Sequence, residues 1–193
     1  MEASASSDDT QVADALRVQS YEQITNRYRK RELFDQDAPT ARGVQIDRSG
    51  IMRIIPHRPP FLLIDSVNAI DLERQVIRGA RKIDPKDPVF QGHFPNYPVY
   101  PGVLHIEMIG QMGLCLQYFA RERTFAVADN ATAANIRLVK VEGATFQYEV
   151  LPGDEVSVEV KHLEADEYLV RWVGQIAKGT KVCTVAIGQI YLA

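Results

Sequence analysis

Apolar positions along this chain follow two different periods. In "EVSVEVKHL", Val156, Val158 and Val160 alternate with polar residues, the period of a strand with one buried face. Shorter apolar and β-branched runs predict further strands: "FLLIDSVNAI", "QVIRGARKI", "TFAVAD", "IRLVKV", "ATFQYEV", "YLVRWVGQI" and "KVCTVAIGQIYL". Gly79 in the second run reads as a bulge, and "LPGDE", 151–155, as a turn between strands. One segment breaks the pattern. "PGVLHIEMIGQMGLCLQYFARER", 101–123, has no proline after its first residue and carries apolar side chains on nearly every helical face. A helix apolar all round belongs in a core. Pro101 suits its first turn, and Arg121 and Arg123 suit the negative end of its dipole. The expectation is an α+β fold: one long central helix wrapped by a curved antiparallel sheet. Trp172 reads as core.

The first 45 residues read as an extension to a domain spanning 46–193. Residues 1–9 are small, polar and acidic, the composition of a disordered start. Val12, Leu16, Tyr21, Ile24, Tyr28 and Phe34 recur at spacings that predict an amphipathic helix over 10–34. "RYRKR", 27–31, is either its solvated face or a docking patch for an acidic partner. "DQDAPTARG", 35–43, reads as a linker.

Composition narrows the function classes. The chain has 193 residues, 46% apolar and 24% charged, with a net charge of −3, which gives no case for broad nucleic-acid binding. No apolar run reaches the roughly 18 residues of a membrane span. The start has neither the basic nor the apolar region of a secretory signal. Cys115 and Cys183 lie in apolar surroundings and read as buried free thiols of a reducing compartment, hence a cytoplasmic protein. Histidines at 57, 93, 105 and 162 have no metal-ligand spacing, and no cofactor is expected.

The chemistry concentrates in "GHFPNYPVYPGVLHIE", 92–107. Glu107 sits inside the apolar helix, where desolvation would raise its pKa and make it a proton donor. Gln111, one turn on, is placed to hold it. His93 precedes three prolines at three-residue spacing, which predicts a stiff extended loop. At about 3 Å per residue such a rod would reach up to roughly 28 Å between His93 and Gly102. It would deliver His93 to a neighbour's helix, so the site is expected to be shared by two subunits. The N–H of Gly102, at a helix start, could hold a developing oxyanion. A base, an acid and an oxyanion donor suit proton removal beside a carbonyl with loss of a group one carbon away. His57 reads as structural, His105 as a packing or interface residue, and His162 as an exposed strand residue without a role.

"GHFPNYPVYPGVLHIEMIGQ" resembles the active-site signature of the FabZ-type β-hydroxyacyl-acyl carrier protein dehydratases. "IIPHRPPFLLID", 54–65, and "LPGDEV", 151–156, resemble two further motifs of that family, in order. The resemblance implies a hotdog fold, dimeric at minimum and often a trimer of dimers. It implies that His93 takes the C2 proton of a (3R)-3-hydroxyacyl thioester and that Glu107 protonates the departing hydroxyl. Gly102 would then polarise the thioester carbonyl and Gln111 would orient Glu107. It gives loop or acyl-tunnel positions to Phe61, Phe94, Tyr97 and Tyr100. The implied partner is an acyl carrier protein bearing a phosphopantetheine-linked acyl chain, with Arg121, Arg123, Arg137 and Lys140 as docking candidates. The chain also departs from the family. Asn96-Tyr97 follows the HFP, Tyr100 stands where methionine is more usual, and 144–150 lacks the basic residues often found there. Short members have no counterpart of the first 45 residues. These departures point to a dedicated polyketide or specialised lipid pathway. The rival readings are a hotdog acyl-thioesterase and a non-catalytic acyl-thioester binding subunit.

Overall fold

The computed structural model describes residues 19–133 and 135–192. The expected disordered start and the first apolar positions of the amino-terminal helix, Val12 and Leu16, lie outside them. Helix α1 is Tyr21–Tyr28, opened by a capping box between Ser20 and Gln23. Strand β1 (Arg42–Asp47) leads into α2 (Arg48–Ile54), which Asp47 caps through the N–H of Gly50. Strands β2 (Ser66–Asp71) and β3 (Val76–Lys82) follow, then a 3-10 turn at Pro88–Gln91 and the long helix α3 (Gly102–Glu122). The chain closes with β4 (Ile136–Phe146), β5 (Glu155–Ala165), β6 (Leu169–Lys178) and β7 (Lys181–Leu192).

All seven strands form one antiparallel sheet in the order β1-β2-β3-β5-β6-β7-β4. Its inner face packs on α3. Val156, Val158 and Val160 are fully buried there with Met108, Ile109, Met112, Leu116 and Phe119. Trp172 and both cysteines are also buried, and burial pushes the Cys115 thiol up to about 12. Close approach of helix and sheet requires Gly79, where a Cβ would lie 2.3 Å from Met112 Cε and 2.1 Å from the Ser66 carbonyl oxygen. The bulge expected at Gly79 falls instead on its partner strand, between Val67 and Ala69.

Other expectations shift in detail. "IRLVKV" and the first three residues of "ATFQYEV" join into the single strand β4, bent by two register shifts, and 147–150 lies beyond it. "TFAVAD" is a loop after α3, and only the second half of "FLLIDSVNAI" pairs. Pro101 is the N-cap of α3 rather than its first residue.

The amino-terminal segment is no loose appendage. Ile24, Tyr28, Leu33 and Phe34 are buried on the outer face of the sheet with Val76, Val173, Val182, Val185 and Ile187. The predicted helix ends at Tyr28, and residues beyond it cross the sheet as a strap. Glu159 and Gln175, paired across β5 and β6, face this strap fully buried. Glu159 accepts the N–H groups of Leu33 and Phe34, and Gln175 donates to the Arg31 carbonyl at 2.8 Å. Arg78 meets Glu159 at 2.7 Å; even so, burial raises the Glu159 pKa above its ordinary value. His162, expected on an exposed face, is buried: it pairs with Trp172 across β5 and β6 and so shares the inner face of the sheet, and desolvation lowers its pKa to about 4.

Candidate active site

The loop before α3 is compact, not an extended rod. Val99 N–H donates to the His93 carbonyl at 3.1 Å, and Tyr97 N–H to the Phe94 carbonyl at 3.0 Å, so the chain folds back within six residues. Two local turns close it, and the prolines limit the backbone around them rather than straightening it. His93 Nδ1 lies 2.9 Å from the Val99 carbonyl oxygen. A carbonyl only accepts, so Nδ1 carries the proton and the neutral ring keeps its lone pair on Nε2. This is the tautomer a general base needs.

His93 lines a cavity of about 650 Å³ together with Tyr100, Gly102, His105, Phe146 and Gln147. Gly102 is the first residue of α3, and no side chain caps this helix end, leaving its dipole directed at the cavity. The Phe146 ring packs closely on it: a Cβ at this position would stand 2.6–3.0 Å from that ring, which would have to shift. Tyr100 is buried, with its N–H on the Val150 carbonyl at 2.7 Å. His105, read from sequence as a packing residue, is buried beside the Tyr100 ring and hydrogen bonds Thr184 Oγ1 through Nδ1 at 2.7 Å. Desolvation lowers its pKa to about 4, so it is neutral at pH 7. Phe94 and Tyr97 are largely exposed on the loop, and the Tyr97 hydroxyl donates to Glu149 at 2.6 Å.

Glu107 occupies another face of α3, two residues and about 200° from His105. Gln111 Nε2 donates to Glu107 Oε1 at 2.9 Å and to the Phe61 carbonyl at 2.9 Å, while its Oε1 accepts Leu63 N–H at 2.8 Å. The fully engaged amide fixes the carboxylate, as the spacing of the two residues predicts. His57 Nε2 stands 3.2 Å from the same Glu107 oxygen. His57 reads from sequence as structural; it meets Glu107 because the loop 55–65, which turns at 59–60, is held against the helix by Gln111 at Phe61 and Leu63. Burial raises the Glu107 pKa, but the hydrogen bonds from His57 and Gln111 and the His57 charge outweigh it, and the net shift is downward. The carboxyl group was expected to be raised by desolvation; within one chain its two donors reverse that.

Within one chain, then, the His93 cavity and the Glu107 carboxylate lie on separate faces of one helix. The docking candidates are scattered. Arg121 pairs with Glu122, and Arg123 is the left-handed C-cap of α3. They lie about 28 and about 32 Å along the helix from Gly102. Arg137 and Lys140 are exposed on β4. Among the described residues no cluster of ligating side chains could hold a metal ion, and no helix is long and apolar enough to cross a membrane.

Comparison with known proteins places this arrangement. Residues 55–186 match the FabA-like domain family. The chain is 42% identical over 116 residues to the 3-hydroxyacyl-[acyl-carrier-protein] dehydratase FabZ of Xanthomonas oryzae pv. oryzae strain PXO99A, covering 60% of this chain and 72% of that one. Its counterpart in Xanthomonas euvesicatoria pv. vesicatoria strain 85-10 is 40% identical over the same coverage. Among solved structures, the dehydratase heterocomplex ApeI:P from Xenorhabdus doucetiae superposes with a TM-score of 0.57 at 20% identity, covering 74% of this chain and 90% of that one. The fold is accordingly the hotdog fold, and this chain belongs to the FabA-like family, in its FabZ-type branch.

Proposed function

We propose that this protein is a 3-hydroxyacyl-[acyl-carrier-protein] dehydratase, converting a (3R)-3-hydroxyacyl thioester into the trans-2-enoyl thioester. His93 Nε2 removes a proton from C2, and the electron pair forms the C2–C3 double bond. The C3–O bond breaks, and the hydroxyl leaves as water with a proton from Glu107. The N–H of Gly102 polarises the thioester carbonyl as negative charge gathers on its oxygen. Gln111 holds the Glu107 carboxyl. His57 positions Glu107 through its 3.2 Å contact, and the proton that His93 takes from C2 is returned to Glu107 by way of solvent, which resets both groups. Tyr100 bounds the acyl cavity, Phe94 and Tyr97 belong to the loop that carries His93, and Phe61 flanks Glu107 on the other face of the helix. The names of the FabZ relatives support the reaction and the carrier-bound substrate.

One observation carries the mechanism: the fixed Nδ1 proton of His93, which leaves Nε2 basic and beside the uncapped start of α3. The separation of His93 and Glu107 within a chain argues for a dimer in which each site takes His93 from one protomer and Glu107 from the other. Strand β4 is an edge of the sheet, with Leu138, Val139 and Val141 exposed, and offers the surface for such pairing. Trimers of such dimers remain compatible with this interface. The buried free thiols suit a cytoplasmic enzyme. The bulkier loop at Asn96-Tyr97 and the aromatic Tyr100 favour a dedicated polyketide or lipid substrate.

The test is a mixing experiment. His93→Ala and Glu107→Gln proteins, each inactive, are unfolded together and refolded. A shared site regains turnover in the mixed dimers, read as a new conjugated enoyl thioester. A mixture that stays inactive while the wild type survives the same treatment places both groups in one chain. Release of free thiol instead of an enoyl product would mark a thioesterase.

A further inference from the structure

We propose that the amino-terminal strap supplies the landing site for an acidic acyl carrier protein, through the exposed turn Arg29-Lys30-Arg31 together with Lys181 at the rim of the His93 cavity. The proposal deepens the dehydratase reading and rests on it for the identity of the partner.

Position comes first. Gln147 lines the cavity, and its side-chain amide donates to the Arg29 carbonyl at 3.0 Å and to the Val182 carbonyl at 3.1 Å. The basic turn therefore begins at the cavity wall. On the same rim, Lys181 Nζ lies 5.7 Å above the Tyr148 ring, and Tyr148 also lines the cavity.

Charge comes second. Arg29, Lys30 and Arg31 are all exposed, and none forms an ion pair with a carboxylate among the described residues. Several other cations of the outer face are committed: Arg74 to Asp35, Arg78 to Glu32 and Glu159, Arg171 to Glu142. In a chain of net charge −3, this turn is a local concentration of unspent positive charge. Segment 144–150 contributes only Glu149, whose carboxylate the Tyr97 hydroxyl engages. Cations missing from that segment are thus brought to it by the strap.

Rigidity comes third. Gln175 and Glu159 hold the backbone on both sides of the turn, at Tyr28, Arg31, Leu33 and Phe34. The Tyr21 hydroxyl is 2.6 Å from Thr145 Oγ1, so the strap is also anchored to β4. A fixed cationic rim steers an acidic partner and orients its tethered chain at the cavity mouth. Arg121 and Arg123, at the far end of α3, offer neither this proximity nor unpaired charge on both residues.

The experiment uses the full chain and two triple variants, R29E/K30E/R31E and R29Q/K30Q/R31Q. Affinity is measured for a phosphopantetheine-bearing acyl carrier protein without an acyl chain. Turnover is measured on a 3-hydroxyacyl chain carried either by that protein or by free pantetheine. We expect charge reversal to weaken carrier binding and carrier-dependent kcat/KM by about tenfold or more, the glutamine variant to fall between, and salt to erase the difference. Turnover of the pantetheine thioester and the melting temperature stay at wild-type values. Equal carrier affinity in all three proteins overturns the proposal, as does an equal loss on the pantetheine substrate or a change in oligomeric mass. Carrier binding needs no turnover, so the two readings fail separately. A protein that docks carrier yet makes no enoyl thioester refutes the dehydratase and leaves the landing site standing.

Discussion

The two faces of the sheet are covered by different means. On the inner face, α3 packs apolar side chains against alternating valines. On the outer face, α1 and the strap together bury four apolar side chains, and the strap is also held through its backbone by two buried polar side chains, Glu159 and Gln175. The first arrangement is specific in side chains and the second in main-chain atoms. Chemistry and stability should therefore separate under mutation: the proposed site residues on and before α3 govern turnover, and outer-face residues govern the fold.

The sharpest break comes from His93→Ala. Turnover should fall by about 10²–10⁴-fold while the melting temperature stays within a few degrees, because general base catalysis is worth that much and the side chain is not core. The mirror change is Phe34→Ala on the strap. It should cost about 3–5 kcal/mol of unfolding free energy by urea titration, with activity per folded molecule on a pantetheine substrate unchanged. An unaltered urea midpoint would return the strap to the status of an appendage.

Acid should strike the inner face through two buried histidines. His105 and His162 are buried and neutral, with pKa values lowered from 6.5 to about 4. Below pH 6.5 the unfolded chain binds protons that the folded chain refuses, so stability falls as pH drops from about 6.5 towards 4. Each histidine contributes at most about 3 kcal/mol to that loss. Replacing His162 by glutamine should flatten the urea midpoint against pH over this window; an unchanged slope would mean that the histidine already titrates normally.

Smaller effects sharpen the contrast. His57→Gln removes a group that lowers the Glu107 pKa, so Glu107 should stay protonated to higher pH. Turnover should drop about tenfold, and the limb of the pH–rate profile that reports Glu107 should move upward. A uniform loss at every pH would assign His57 to structure alone. Tyr21→Phe should cost only about 1 kcal/mol by the same urea titration, the usual net value of one hydrogen bond. A loss several times larger would show that Thr145 depends on it.

Legibility differed between the faces in the same way. Inner-face elements announced themselves through side-chain periodicity: Val156, Val158 and Val160, and the apolar surround of α3, gave the wrapped-helix architecture. The Glu107–Gln111 contact followed from helical spacing. The outer face was misread because its bonds run to the backbone, which leaves no periodic trace. A signal was nonetheless present. "LVRWVGQI" and "VCTVAIGQI" are nearly continuous apolar runs, the mark of strands buried on both faces, so something had to cover the second one. The loop at 92–100 was misjudged for another reason: proline spacing restricts φ but does not say where turns will close. His57 was missed as a partner of Glu107 because the two meet only through tertiary packing.

The anchoring of the strap through Tyr28, Arg31, Leu33 and Phe34 main-chain atoms has an evolutionary corollary. Peptide groups are common to every residue, so the side chains of Arg29 and Lys30 can be exchanged without loosening the tether. A lineage could retune which carrier it recognises by rewriting those two letters, leaving both the scaffold and the reaction centre untouched.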